Sequence, residues 1–258
     1  MTEPAESGAP RDDEPRDVAP RDVALYVHWP YCARVCPYCD FNVVRHRGGR
    51  EGPAALARAI IADLEAQSAR AGRRRLASVF FGGGTPSLME PDWAGEIVGA
   101  ARRLFEPAAD LEVTLEANPT DAEAGRFAAF AGVGVNRLSL GVQSLDDAAL
   151  AFLGRNHGAA EARRAAERAA RAFPRLSIDL IYARPGQTPA DWRRELDAAL
   201  ALGPEHVSAY QLTIEAGTAF DRAVRRGRWS PPEPELAAAL FETTEDALGR
   251  AGFEAYEV

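Results

Sequence analysis

From residue 22 onward, short apolar runs of strand length alternate with longer segments whose apolar residues recur at helical spacing. Runs rich in β-branched and aromatic residues occupy 23–29, 77–82, 111–117, 135–142, 176–182 and 206–214. Strands that alternate with helices form a parallel sheet, because each helix returns the chain to the same edge. The pattern predicts an α/β fold of six strand–helix units.

Helix signals lie between the runs. Leu56, Ile60 and Leu64 share one face of a helix that Pro53 opens, and Thr188 caps a later one. Proline near the first turn and threonine just before it are typical helix starts. These signals place helices outside the predicted sheet.

Side chains alternate along the strands between an apolar and a polar face. In the fourth strand the apolar face carries Leu138, Leu140 and Val142. The polar face carries Arg137, Ser139, Gly141 and Gln143, and neighbouring strands continue it with Glu112, Thr114, Glu116, Ser177 and Asp179. A closed eight-stranded barrel fills its interior with branched apolar residues. We therefore predict an open, six-stranded partial barrel lined for a polar ligand; the alternative is a face that meets water.

Length and charge narrow the class of protein. The 258 residues, 47% of them apolar, suffice for one α/β barrel domain. A net charge of -8 argues against nucleic acid as a main partner. Residues 1–21 read as a disordered, acidic, proline-rich tail. We see no signal peptide and no membrane span, and expect a cytoplasmic protein.

All three cysteines lie within one short segment, YCARVCPYCDF, which follows the first strand. Cys32, Cys36 and Cys39 are too few and too close for a disulfide framework, which favours metal binding. Three thiolates can hold a 4Fe-4S cluster and leave one iron open. The alternative is a zinc site with His28 as a fourth ligand, although two residues separate that strand histidine from the loop.

The spacing CxxxCxxC, with Tyr38 just before the third cysteine, resembles the radical S-adenosylmethionine (SAM) superfamily. Seven further phrases resemble the coproporphyrinogen III dehydrogenase-like family, and within that family they resemble the heme chaperone branch, HemW. They are YVHWPYC, FFGGGTPS, EANP, RLSLGVQS, LGRNH, DLIYARPGQT and AYQLTIEAGT. The resemblance implies a radical SAM partial (β/α)6 TIM barrel over 22–258, truncated before a C-terminal domain. It also implies that SAM chelates the open iron and is cleaved to methionine and a 5'-deoxyadenosyl radical.

The resemblance carries site residues with it. The cysteines are the implied cluster ligands, and Tyr38 is placed beside the cluster, where its ring could pack on the adenine. The implied SAM-binding residues are Tyr26, Tyr38, Gly83, Gly84, Thr85, Glu116, Gln143, Arg155 and Asp179. Without side chains, the glycines would let backbone groups approach the methionine end of SAM. A core role for Tyr26 and a surface position for Arg155 are the open alternatives.

The resemblance further implies heme as a ligand, a heme-acceptor protein, and an electron donor of flavodoxin or ferredoxin type. One sequence does not choose a heme ligand among His28, His46, His157 and His206. The alternative function is oxygen-independent coproporphyrinogen III dehydrogenase, in which a fourth cysteine stands where this chain has Phe41. A third possibility is a structural zinc protein or a vestigial barrel without SAM cleavage.

Overall fold

The computed structural model describes residues 21–256, so most of the expected tail, residues 1–20, lies outside the described part of the chain. The strands are β1 (Asp22–Trp29), β2 (Tyr31–Cys32), β3 (Val44–Arg45), β4 (Arg75–Gly83), β5 (Glu106–Ala117), β6 (Arg137–Gln143), β7 (Arg175–Tyr182) and β8 (His206–Gln211). The helices are α1 (Glu51–Ala71), α2 (Pro91–Leu104), α3 (Asp121–Ala124), α4 (Phe127–Gly132), α5 (Asp147–Phe152), α6 (Ala159–Ala172), α7 (Pro189–Leu200), α8 (Ala219–Arg225) and α9 (Pro234–Arg250). A 3-10 helix, Pro86–Leu88, follows β4.

Six strands form one parallel sheet in the order β1-β4-β5-β6-β7-β8. The order follows the chain, and helices lie between successive strands, as the sequence pattern predicts. The architecture is a parallel half-barrel with outer helices, which confirms the predicted partial barrel.

The apolar face of the sheet packs against the helices and forms the core. Leu138, Leu140 and Val142 of β6 are fully buried. Trp192 of α7 stacks on Tyr182 with ring centroids 5.3 Å apart, and its indole N–H donates to Thr244 of α9 at 2.8 Å. Burying such large side chains is the main favourable contribution to the fold. The helices therefore fix the sheet from one side only.

The polar face is not simply open to water. Ser139 and Ser177 are buried on it, and Glu116, Ser139 and Asp179 line an internal cavity. The sequence expectation of an interior lined by polar groups is therefore confirmed. None of the helices within residues 21–256 is long and apolar enough to cross a membrane.

Candidate cofactor site

A cavity of about 490 Å³ opens at the carboxyl ends of the strands. That volume lies in the range of small-molecule sites, and parallel α/β sheets bind ligands at this end. Its lining residues include all three cysteines together with Tyr38, Gly83, Gly84, Thr85, Glu116, Asn118, Gln143, Arg155 and Asp179. The structure thus brings together all but one of the site residues that the sequence pointed to.

The cysteine loop is fastened to its surroundings by backbone hydrogen bonds. Gly84 N–H donates to the Trp29 carbonyl at 2.7 Å, and Thr85 N–H donates to the Tyr31 carbonyl at 2.8 Å. The short pair β2 and β3 closes the loop on itself. The loop that carries the thiols is therefore held against the end of β4.

The three thiols are free, with Cys32 buried and the other two partly buried. Burial raises the pKa of Cys32 and of Cys39. Within residues 21–256, no three His, Cys, Asp or Glu side chains lie close enough to surround a single ion. Three unpaired thiols facing one cavity are a donor set that suits an iron-sulfur cluster.

Arg155 lies inside the cavity, so the surface alternative is wrong. Its guanidinium donates to Asn118 Oδ1 and to the Gly141 carbonyl at 2.9 Å. It also approaches Cys36 Sγ at 3.4 Å and Tyr38 Oη at 3.5 Å. Arg155 Nε is buried without a hydrogen-bond partner. An orphan donor beside the thiols favours an anionic ligand group at this point.

Gly83 ends β4 and Gly84 follows it, and both line the cavity, so the expected approach of SAM to their backbone stays a prediction. A Cβ on Gly83 would lie 2.6 Å from the His28 ring, and a Cβ on Gly84 would lie 2.7 Å from the Pro30 carbonyl oxygen. Both glycines therefore allow β4 to pack against the segment that leads into the cysteine loop. Gly83 N–H donates to Glu116 Oε2 at 3.2 Å. The amide N–H groups of Gly83 and Gly84 are therefore both engaged within the protein.

Glu116 and Asp179 form a carboxyl pair on the polar face. Burial raises the pKa of Glu116 to about 7, with a further contribution from Asp179, while Gly83 N–H opposes the shift. Burial likewise raises the pKa of Asp179 to about 6, although hydrogen bonds from Ser208 and Ser139 stabilise its charge. A cation in the cavity would favour ionisation of both groups.

The two tyrosines occupy different environments. Tyr38 lines the cavity, and its ring packs near Phe220 with centroids 6.2 Å apart. Tyr26 is 57% exposed and is absent from the cavity lining, so the core alternative for it is wrong. Its hydroxyl is hydrogen-bonded to His28 Nδ1 at 3.2 Å. Tyr26 therefore lies on the same face of β1 as His28 but does not reach the cavity.

The four histidines contact protein groups other than the three cysteines. His28 Nε2 is hydrogen-bonded to the Asn42 carbonyl at 3.0 Å, so both of its ring nitrogens have partners other than the cysteines. His157 is buried, and its Nε2 is hydrogen-bonded to the Val142 carbonyl at 3.1 Å. His206 bonds to Ser177 and Tyr256, and the His46 ring packs edge-on to Tyr31.

Sequence reasoning missed several residues that build the site. Asn118 joins Arg155 to Thr85, and the phrase EANP that contains it was the available signal. The sequence did not indicate a role for Glu123 or Glu195, because an acidic residue in a helix is usually predicted to lie on the solvent-exposed surface. Both are buried, and each accepts hydrogen bonds from the loop after a strand.

The sequence profile of the radical SAM superfamily matches residues 26–199. A mitochondrial radical SAM domain-containing protein 1 from Bos taurus is 47% identical over 91% of this chain and 53% of its own length. The heme chaperone HemW of Mycobacterium tuberculosis is 39% identical over 91% of this chain and 60% of its own length. The chain thus spans between half and two thirds of these curated relatives.

Among solved structures, coproporphyrinogen III oxidase (HemN) from Escherichia coli, a radical SAM enzyme, superposes with a TM-score of 0.78. The superposition covers 91% of this chain and 54% of that one, at 24% identity. At that identity the likeness supports the fold alone.

Proposed function

Because the chain belongs to the radical SAM superfamily, we propose that Cys32, Cys36 and Cys39 hold a 4Fe-4S cluster beside a SAM-binding cavity. We propose further that the chain is the radical SAM core, over 22–258, of a heme chaperone. The observation that carries the proposal is the shared cavity: three free thiols open onto the same space as Glu116, Gln143, Arg155 and Asp179.

The lining residues suit the three polar parts of SAM. The guanidinium of Arg155, with its unpartnered Nε, would bind the carboxylate. Backbone carbonyls at Gly83 and Gly84 would accept from the amino group. Glu116 and Asp179 would face positive charge and ionise in its presence. The cluster, when bound and reduced, supplies the electron for SAM cleavage.

The heme part of the proposal rests on similarity and on exposed apolar side chains that line the cavity. Relatives named heme chaperone HemW are 39% identical over 91% of this chain. Val35, Phe41 and Tyr210 line the cavity, and all three are exposed. Exposed apolar side chains on a cavity suit a flat, largely apolar ligand such as heme.

A chaperone also needs an acceptor protein for heme and, if SAM is cleaved, an electron donor of flavodoxin or ferredoxin type. Free thiols and an iron-sulfur cluster fit a reducing compartment such as the cytoplasm. We propose both partners and this location.

One anaerobic experiment tests the function. After reconstitution, iron content, SAM binding, SAM cleavage with dithionite and heme titration are measured on the same protein. We expect about four irons per chain, saturable SAM binding, saturable heme binding and no conversion of coproporphyrinogen III. Stoichiometric zinc without iron would refute the cluster. Formation of product from coproporphyrinogen III would overturn the chaperone assignment in favour of the dehydrogenase.

A further inference from the structure

The backbone at Gln143, the last residue of β6, is strained. Its φ is +63°, a conformation that residues with a side chain rarely adopt. Ser144 N–H donates to the Val142 carbonyl at 2.8 Å, which closes a three-residue turn around Gln143. Positive φ with this hydrogen bond defines a classic γ-turn, a rare and strained geometry. Such strain persists only where the surroundings hold it in place.

Two buried side chains hold the turn from outside the cavity. Glu195 of α7 accepts from Ser144 Oγ and from Leu145 N–H, the latter at 2.9 Å. His157 is hydrogen-bonded to the Val142 carbonyl on the other side of Gln143. The turn is thus fixed at the residues before and after its strained centre.

Glu195 is itself held by a buried ion pair with Arg184, which follows β7. Arg184 comes directly after Ala183, which has a φ of +61°, and within residues 21–256 only Gln143 and Ala183 have positive φ without being glycine. Glu195 therefore connects the two strained strand ends. Since it does not line the cavity, any effect on a ligand must pass through the residues it holds.

The turn places the side chain of Gln143 next to Gly141. A Cβ on Gly141 would lie 2.8 Å from Gln143 Nε2 and 3.5 Å from the Arg155 guanidinium. The amide of Gln143 and the guanidinium of Arg155 therefore both approach Gly141, in the cavity that all three residues line. A relaxed strand end would carry the amide elsewhere.

We propose that Glu195 is a positioning residue that keeps the γ-turn at Gln143 closed, so that the Gln143 amide meets bound SAM. The inference rests on the proposed function, because it takes SAM as the ligand of this cavity. It adds a residue on an outer helix to the determinants of SAM affinity.

A double-mutant cycle on SAM affinity tests the proposal in cluster-loaded protein. Glu195→Gln keeps the shape of the side chain, and we expect it to weaken SAM binding about tenfold, comparable to Gln143→Ala, with iron content unchanged. In the double variant, SAM should bind no more weakly than in Gln143→Ala alone. Additive weakening would overturn the proposal, because a general structural defect acts whether or not the Gln143 side chain is present.

The control is Asp197→Asn, which removes a carboxylate from the same helix. Asp197 pairs with Arg193 near the protein surface. We expect it to leave SAM affinity unchanged. If Glu195→Gln fails to fold, Ser144→Ala cuts one link to the turn and leaves the ion pair intact, and it should give the same non-additive result.

A second cycle needs no SAM and separates this inference from the proposed function. Glycine tolerates positive φ, so Gln143→Gly should unfold at a higher denaturant concentration than Gln143→Ala in cluster-loaded protein. With Glu195→Gln or Ser144→Ala added, the turn can relax and that advantage should disappear. An unchanged advantage would show that Glu195 does not hold the turn; failure of the parent chain to bind SAM would instead refute the proposed function.

Discussion

At the scale of single residues, the cavity collects groups that are unfavourable when buried alone. Burial and the charge of Asp179 raise the pKa of Glu116, and Arg155 Nε lacks a hydrogen-bond partner. Each of these defects is relieved by a ligand that carries both a cationic centre and a carboxylate. SAM carries both of these charges, which supports the proposal that SAM is the ligand of this cavity.

The cysteines give the first prediction. Replacing Cys32, Cys36 or Cys39 singly with alanine should abolish cluster incorporation, because two thiolates cannot hold the cluster against loss to water. Iron and sulfide analysis after anaerobic reconstitution measures the effect. Phe41→Ala is the control, since Phe41 lies on the same cavity but has no ligand atom, and it should keep its iron. A single cysteine variant with full iron content would contradict the assignment.

Glu116 gives a prediction about pH. Its pKa in the folded protein, about 7, lies above the ordinary value of 4.5. The folded state therefore resists ionisation, and stability falls as pH rises from about 4.5 to about 7. Glu116→Gln should stabilise the SAM-free protein at pH 8 and have a much smaller effect at pH 5. Denaturant unfolding at the two pH values measures this; an equal effect at both would exclude the raised pKa.

The same carboxyl group links pH to SAM. If cationic SAM lowers the pKa of Glu116, binding near pH 6.5 should release a proton, and affinity should rise as pH increases toward 7. Calorimetry in two buffers of different ionisation enthalpy counts that proton. Glu116→Gln should reduce proton release, while Asp179 retains its own contribution.

At the scale of elements, the site depends on how the cysteine loop meets the loops after the strands. Gly154 follows α5 with a φ of +68°, and a Cβ there would lie 2.6 Å from Pro37 Cδ. Phe220 N–H, at the start of α8, donates to the Pro37 carbonyl at 3.0 Å. Pro37, one of the two residues between the second and third cysteines, is thus packed against two separate elements.

Gly154→Ala should therefore disturb the cysteine loop as well as the fold. We expect a loss of about 1 to 2 kcal/mol in unfolding free energy from the positive φ alone, together with reduced iron loading. Gly249→Ala is the matched control, because nothing lies within 4 Å of its Cβ and it lies in α9. That change should preserve iron content and leave stability equal or higher. Normal iron in Gly154→Ala would show that the loop tolerates displacement.

The elements also show what sequence could predict. Apolar runs located the six strands of the large sheet but not the short pair β2 and β3, because parallel strands buried against helices need continuous β-rich segments. β5 nevertheless begins at Glu106, earlier than its apolar run, since Arg75 and Leu76 of β4 pair with that stretch. The roles of Glu123 and Glu195 were not predictable, because burial of a helical carboxylate depends on which loops fold over it. The γ-turn at Gln143 likewise arises from those contacts and has no glycine to signal it.

At the scale of the whole molecule, the cavity exists only when distant segments are folded together. Gly83 comes from β4, Glu116 from β5, Gln143 from β6 and Asp179 from β7. A ligand of this cavity therefore binds the folded state and not the unfolded chain. Binding energy then adds directly to stability.

SAM at one hundred times its Kd should raise the unfolding free energy of the cluster-loaded protein by about 2.7 kcal/mol. For a domain of this size the shift in Tm is about 5 to 10 °C. Thermal unfolding under anaerobic conditions measures it, with cluster-free protein as the control. An equal shift without the cluster would mean that SAM binds independently of the iron.

The order of the sheet, β1-β4-β5-β6-β7-β8, has a consequence for synthesis on the ribosome. Each new strand pairs with the sheet strand made just before it, so the sheet can grow from its first edge while later residues are still being translated. The cysteine loop emerges early, whereas Arg155, which approaches Cys36, is translated more than one hundred residues later. We therefore expect nascent chains that end before Arg155 to expose their thiols to the solvent of the cell. Cluster insertion should be most efficient after that point, when the loop first gains its guanidinium partner.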